Sequence, residues 1–181
     1  MTYAEYLAAE EISDVRHEFL NGEVWAMSGG TPDYSALAAA VIAQLTNALS
    51  GRPCRVYTSD LRICVMETGL STYPDVAVVC GRAETAPEDP HAVTNPALLV
   101  EVLSATTEGY DRGAKSAHYR RISSLQAYAL VSQAEPRIEV YTRTDAGRWE
   151  LTEARVGERA EIARLAIGLD VSTVYANPLE G

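Results

Sequence analysis

Two apolar runs in the middle of the chain, PDVAVVC at 74–80 and ALLVEVLS at 97–104, constrain the fold most. Uninterrupted apolar stretches of this length read as strands covered on both faces. Each carries one carboxylate, Asp75 and Glu101. A charge in such a place is costly unless it is paired or binds a cation. Residues two apart on a strand share a face, so Glu101 points with Leu99 and Leu103, opposite Leu98, Val100 and Val102. Asp75 opens its strand directly after Pro74, which cannot donate to a ladder. Neighbouring strands would bring the two carboxylates together at one sheet edge. Such oxygen ligands suit Mg²⁺ or Mn²⁺, with the backbone carbonyl of Val102 as a further ligand.

Just downstream, YDRGAKSAHYR carries Lys115, the one lysine among 15 Lys and Arg residues. It is expected to lie on a polar helix as the cationic partner of the two acids. Competing readings are plain. Asp111 and Lys115 stand i,i+4 and would make a surface helix pair worth ~0.3–0.5 kcal/mol. Asp75 would serve as a turn residue after Pro74. Against the surface pair, every other cation in the chain is arginine, which would serve equally well there, whereas a compact amine suits activation of water.

The rest of the chain frames this centre. Thr2 is placed to cap a short helix, TYAEYLAAEE. RHEFL and EVWAMS, joined by Asn21-Gly22, read as a hairpin. Residues 33–49 read as a helix with Leu37, Val41, Leu45 and Leu49 on one buried stripe. CRVYT and DLRICV read as strands, followed by a Gly/Ser/Thr loop, and GRAETAPEDPHAVTNP as a surface excursion. LQAYALVS, RIEVYTR and RWELTEA read as a meander, and 170–175 as a last helix ended by Asn177-Pro178. The expected architecture is mixed α+β (α/β): one central mixed sheet flanked by helices, with an N-terminal β-hairpin, in a single domain over 1–181.

At 47% apolar and 22% charged residues the composition is that of an ordinary soluble globular protein. No run reaches the ~20 apolar residues of a membrane span, and the first residues have no leader pattern, so a cytoplasmic location is expected. Cys54, Cys64 and Cys80 form no CxxC pair and are expected to be reduced core thiols. His17, His91 and His118 lack metal-ligand spacing. Ser104 is not in a GxSxG elbow, and neither a Walker loop nor a dinucleotide fingerprint occurs. A net charge of −10 disfavours phosphate binding. Locally, however, Arg112, Lys115, Arg120 and Arg121 stand against Asp111 alone, which would give a basic patch on an acidic body.

PDVAVV, LLVEVLSATTEGYDRGAKSAHYRRI and RHEFLNGEVWAM together resemble the Uma family of candidate restriction endonucleases, a branch of the PD-(D/E)XK nuclease superfamily. The similarity runs from about Tyr6 to Tyr175. It implies a restriction-endonuclease-like fold, with Asp75 as the motif aspartate and Glu101 as the second acid. The superfamily's lysine, usually two residues after that acid, is replaced here by Leu103, and the resemblance implies that Lys115 takes its role. Glu18 matches the acid of the family's N-terminal hairpin, which implies a place in the catalytic set as a further ligand or metal-water contact; its competing reading is a solvent-facing strand residue. Two departures concern substrate contacts: Tyr34 stands where relatives often have histidine, and Ala127-Tyr128-Ala129 stands at an aromatic-rich segment.

The implied function is metal-dependent endonucleolytic cleavage of phosphodiester bonds, in DNA rather than RNA. Mg²⁺ or Mn²⁺ would be the cofactor, a homodimer the expected assembly, and Arg112, at i−3 from Lys115, a phosphate contact. Replacing Asp75, Glu101 or Lys115 by alanine is expected to abolish cleavage and leave the fold intact. The net charge supports a rival from another class, a catalytically silent scaffold or protein-binding module. A hydrolase of small phosphoesters through the same site is a third reading.

Overall fold

The computed structural model describes residues 1–27, 29–177 and 179. Pro178, expected to end the last helix, lies outside the described residues. The fold is mixed α+β, but it is built on two six-stranded sheets and a two-stranded ribbon rather than one central sheet.

Helix α1 (Tyr3–Glu11) opens with the capping box that Thr2 foreshadows: Thr2 accepts from the Glu5 N–H, and the Glu5 carboxylate accepts from the Thr2 N–H at 2.7 Å. Strands β1 (His17–Leu20) and β2 (Glu23–Ala26) follow as a hairpin. Asn21 and Gly22 both take positive φ (52° and 89°), the backbone that this two-residue turn demands. Thr31 caps α2 (Pro32–Ala48), with Pro32 in its first turn. Leu37, Val41 and Leu45 form its buried stripe, as the four-residue spacing predicts.

The first sheet runs β2-β1-β5-β4-β8-β7, adding β4 (Arg62–Val65), β5 (Leu70–Thr72), β7 (Thr85–Ala86) and β8 (Asp89–Val93). Two expectations are corrected here. The Gly/Ser/Thr loop is instead strand β5, and the surface excursion holds β7 and β8. What pulls the polar excursion into the sheet is Asp89. It is buried at 1% exposure and bonded at 2.6 Å to Arg62, itself bonded to the Tyr73 phenol. Turn composition does not reveal a long-range partner that makes a buried acid tolerable.

The second sheet runs β12-β11-β10-β9-β6-β3, from β3 (Cys54–Thr58), β6 (Val76–Cys80), β9 (Leu98–Val102), β10 (Ala127–Val131), β11 (Arg137–Arg143) and β12 (Trp149–Arg155). One face packs on α2 through Val76, Val78, Leu98 and Val100; the other meets β4 and β5 through Ala77, Val79, Leu99 and Leu103. Both faces are covered at β6, β9 and β10, which is why these central strands read as unbroken apolar runs. A ribbon of β13 (Arg159–Ile162) and β14 (Ile167–Asp170), absent from the sequence reading, precedes the short helix α4 (Val171–Val174).

The cysteine expectation is also corrected. Cys54 and Cys80 face each other across β3 and β6 and form a disulfide, and Cys64 alone is a free buried thiol. A separation of 26 residues carries no pairing signal; the strand register does. Among the described residues, no helix is long and apolar enough to cross a membrane.

Candidate active site

Strands β6 and β9 are antiparallel neighbours, with Val76 opposite Val100. Extending that register by one rung sets Asp75 opposite Glu101, on the face shared with Ala77 and Leu99. One rung further, Val102 would face Pro74, which has no N–H. The ladder ends there, and the side chain of Asp75 takes over: its Oδ2 accepts the Val102 N–H at 2.6 Å. Its other oxygen accepts a hydrogen bond from the Tyr34 phenol at the start of α2.

Lys115 reaches this edge from α3, a helix with an unusual course. It is α-helical over Glu108–Tyr110, widens into a π turn over Asp111–Lys115 and closes as α-helix over Ser116–Tyr119. Such wide turns recur at functional sites. Lys115 is buried, and its ammonium lies 3.0 Å from Glu101 Oε1, 3.0 Å from Glu18 Oε1 and 3.6 Å from Asp111 Oδ1. Tyr119 donates to the same Glu101 oxygen at 2.8 Å, and Thr72 donates to Glu18 at 2.5 Å. The Asp111–Lys115 pair therefore exists, but it is buried rather than on the surface.

Three buried carboxylates, those of Glu18, Glu101 and Asp111, thus contact one ammonium, whose charge also acts on Asp75. Burial raises the pKa of Asp75 and Asp111 from the ordinary aspartate value. For Glu101, burial outweighs the attraction of Lys115 and pushes it up to about 8. Burial alone would lower Lys115, but Glu101, Glu18 and Asp111 overcome this and hold it well above its ordinary value. The amine stays protonated.

These groups open onto a cavity of about 860 Å³ at the seam between the two sheets. The hairpin forms one wall, α3 another, and the loop around Gly29 and Gly30 a third. Glu18, Asp75, Glu101, Val102 and Lys115 all line it. Arg112 does not. It pairs instead with Glu108 at 2.7 Å and Glu139 at 2.5 Å. The i−3 argument assumed α-helical rotation, whereas the π turn advances less per residue and carries Arg112 off the Lys115 face. The expected basic patch dissolves likewise: Lys115 is enclosed, Arg121 pairs with Glu67, and Arg120 lies over the Tyr141 ring.

The sequence reading passed over Asp111 as a site residue and treated Tyr34 only as a departure. Tyr119, Thr72 and Tyr110 were not singled out. Only Asp111 had a usable signal, its four-residue spacing from the one lysine. Among the described residues no three His, Cys, Asp or Glu side chains form a ready metal cage. Two carboxylates with water and substrate oxygens suffice for Mg²⁺.

This fold is shared with a crystal structure from Anabaena variabilis ATCC 29413 described as a "putative nuclease belonging to DUF820", at a TM-score of 0.76 and 16% identity over 97% of both chains. The class is thus a mixed α+β fold. Residues 3–173 match the Uma2 family, described as "Putative restriction endonuclease", and the chain belongs to that family. Among its relatives, the Synechocystis uncharacterized protein slr1290 is 34% identical, covering 94% of this chain and 89% of its own. A second from that organism, sll1609, is 35% identical over 90% and 91%.

Proposed function

We propose that the chain is a divalent-metal-dependent endonuclease, acting on DNA, with Asp75, Glu101 and the Val102 carbonyl as metal ligands. The observation that carries this reading is the buried Lys115 ammonium, 3.0 Å from Glu101 on β9, the strand whose Val102 N–H is bonded by Asp75. The donor set fits a hard cation: Glu18, Asp75, Glu101 and Asp111 offer oxygen donors alone, with no sulfur or nitrogen ligand among them. When bound, Mg²⁺ or Mn²⁺ would lower the pKa of a coordinated water and neutralise phosphate charge.

The chain's own groups divide the remaining work. Asp75 is held by Tyr34 and the Val102 N–H, one bond on each oxygen, so each oxygen retains a lone pair. The bonds to Glu101 fall on Oε1, from Lys115 and Tyr119. Lys115, kept protonated, orients an attacking water and stabilises charge building on the phosphate, rather than acting as a base. Glu18 positions that ammonium from the opposite sheet.

Calorimetry with Mn²⁺ on the wild type and Asp75→Ala, alongside plasmid nicking, tests the proposal. Binding and nicking in the wild type, both lost in the variant, are expected. No Mn²⁺ binding in either protein would sink it and leave the silent protein-binding scaffold, which the net charge of −10 favours. Hydrolysis of a small aryl phosphate without nicking would reassign the site to small phosphoesters.

A further inference from the structure

Resting on the hydrolytic reading of this cavity, we infer that it receives an unpaired nucleotide rather than intact duplex, and that Trp25 is the platform on which the base stacks.

The hairpin register carries the argument. Glu18 lies opposite Trp25, and Leu20 opposite Glu23. Cross-strand partners share a face of the ribbon, and so do residues two apart. Glu18, Leu20, Glu23 and Trp25 therefore form one face, and all four line the cavity. Phe19 points the other way and stacks on Tyr6 of α1 at 5.1 Å. The rung that delivers Glu18 to Lys115 thus delivers an indole beside it, and that indole is 44% exposed. A scattered surface tryptophan needs no explanation. This one shares a rung with a partner of the site's ammonium.

Charge points the same way. Among the described residues, Lys115 is the one Lys or Arg that lines the cavity. Duplex binding draws its affinity from many Lys and Arg contacts to phosphates, and this wall offers one. Strand binding through aromatic platforms needs fewer, since stacking supplies ~1–3 kcal/mol per base. The rings of Tyr34 and Tyr110 add to the apolar lining around the acids. At about 860 Å³ the cavity falls within the range that encloses a small ligand, and it suits one nucleotide lifted out of a stack.

The chain has two tryptophans, Trp25 and Trp149, and Trp149 sits on β12 under Arg143, away from the cavity. A Trp149→Phe protein therefore reports Trp25 alone. In Ca²⁺, a single-stranded DNA oligonucleotide is expected to quench that emission and to bind about tenfold more tightly than the same sequence as blunt duplex. By fluorescence anisotropy, Trp25→Ala is expected to weaken single-strand binding by about 5- to 150-fold, the range that stacking of one base implies. Trp25→Phe is expected to retain most of it, and duplex binding to change little in either. Unchanged emission, or equal single-strand binding by wild type and Trp25→Ala, overturns the inference. Mg²⁺-dependent cleavage separates the two levels. Quenching and loss of binding without any cleavage would defeat the hydrolytic reading alone. Cleavage of duplex and single strand alike, indifferent to Trp25, would defeat the stacking role alone.

Discussion

The Tyr34 phenol donates to Oδ1 of Asp75, so the first turn of helix α2 meets the second sheet at a carboxylate, beyond the apolar stripe that joins them further along. Burial and the nearby Asp75 charge raise the Tyr34 pKa, and the phenol stays a donor. The bond fixes the orientation of the acid at the point where the β6–β9 ladder ends.

Tyr34→Phe is therefore expected to weaken Mn²⁺ binding by about 10- to 100-fold, the usual effect of removing a group that orients a ligand. Gly30→Ala should reproduce the loss. A Cβ there would stand 2.2 Å from a Tyr34 ring carbon and push the phenol away, whereas at Gly29 it would meet nothing within 4 Å. Calorimetry on Tyr34→Phe, Gly30→Ala and Gly29→Ala checks this, with wild-type affinity expected in the last alone. Unaltered affinity in Tyr34→Phe would remove the orienting role.

The burial of Lys115 predicts a cost in stability when it is replaced, beside the loss of activity expected on the proposed reading. It is 4% exposed and contacts three carboxylates. Breaking a buried pair on one side typically costs ~3–5 kcal/mol. Lys115→Met should lower unfolding free energy by that order in urea titrations at neutral pH, and adding Glu18→Gln should recover part of it. Neither variant should cleave DNA. A Lys115→Met protein as stable as wild type would mean that the acids already relax by taking up protons.

Stability of the metal-free protein should fall as pH rises. Glu101 moves from an ordinary value of 4.5 to about 8 on folding, chiefly through burial, so the folded state binds its proton more tightly. That contribution is complete below pH 4.5 and is lost as pH climbs through 8. Asp75 and Asp111, also raised by burial, act with the same sign. Melting temperatures in chelator across this window should decline toward alkaline pH, and Glu101→Gln should flatten the decline. A midpoint that climbs with pH would refute the assignment.

The core of this arrangement was legible because burial leaves a plain mark on strands. Unbroken apolar runs announced β6 and β9, and one acid in each stood out. The hairpin was readable from Asn21-Gly22, and α2 from the four-residue stripe. Hidden features depended on partners distant in sequence. Asp89 looks like a turn residue until Arg62 is seen beside it, and Cys54 gives no hint of Cys80. Arg112 was misplaced because local spacing assumes a regular helix, and the π turn at Asp111–Lys115 is not written in residue types.

The seam between the sheets has a consequence for when the chain becomes competent. Glu18 arrives on β1 of one sheet, Asp75 and Glu101 on β6 and β9 of the other, and Lys115 on the helix that follows β9. A molecule still being synthesised, or one that has opened along that seam, has no assembled centre. On the nuclease reading proposed above, competence to cut would therefore be tied to the docking of the two sheets, and a copy without that seam would be harmless to a genome.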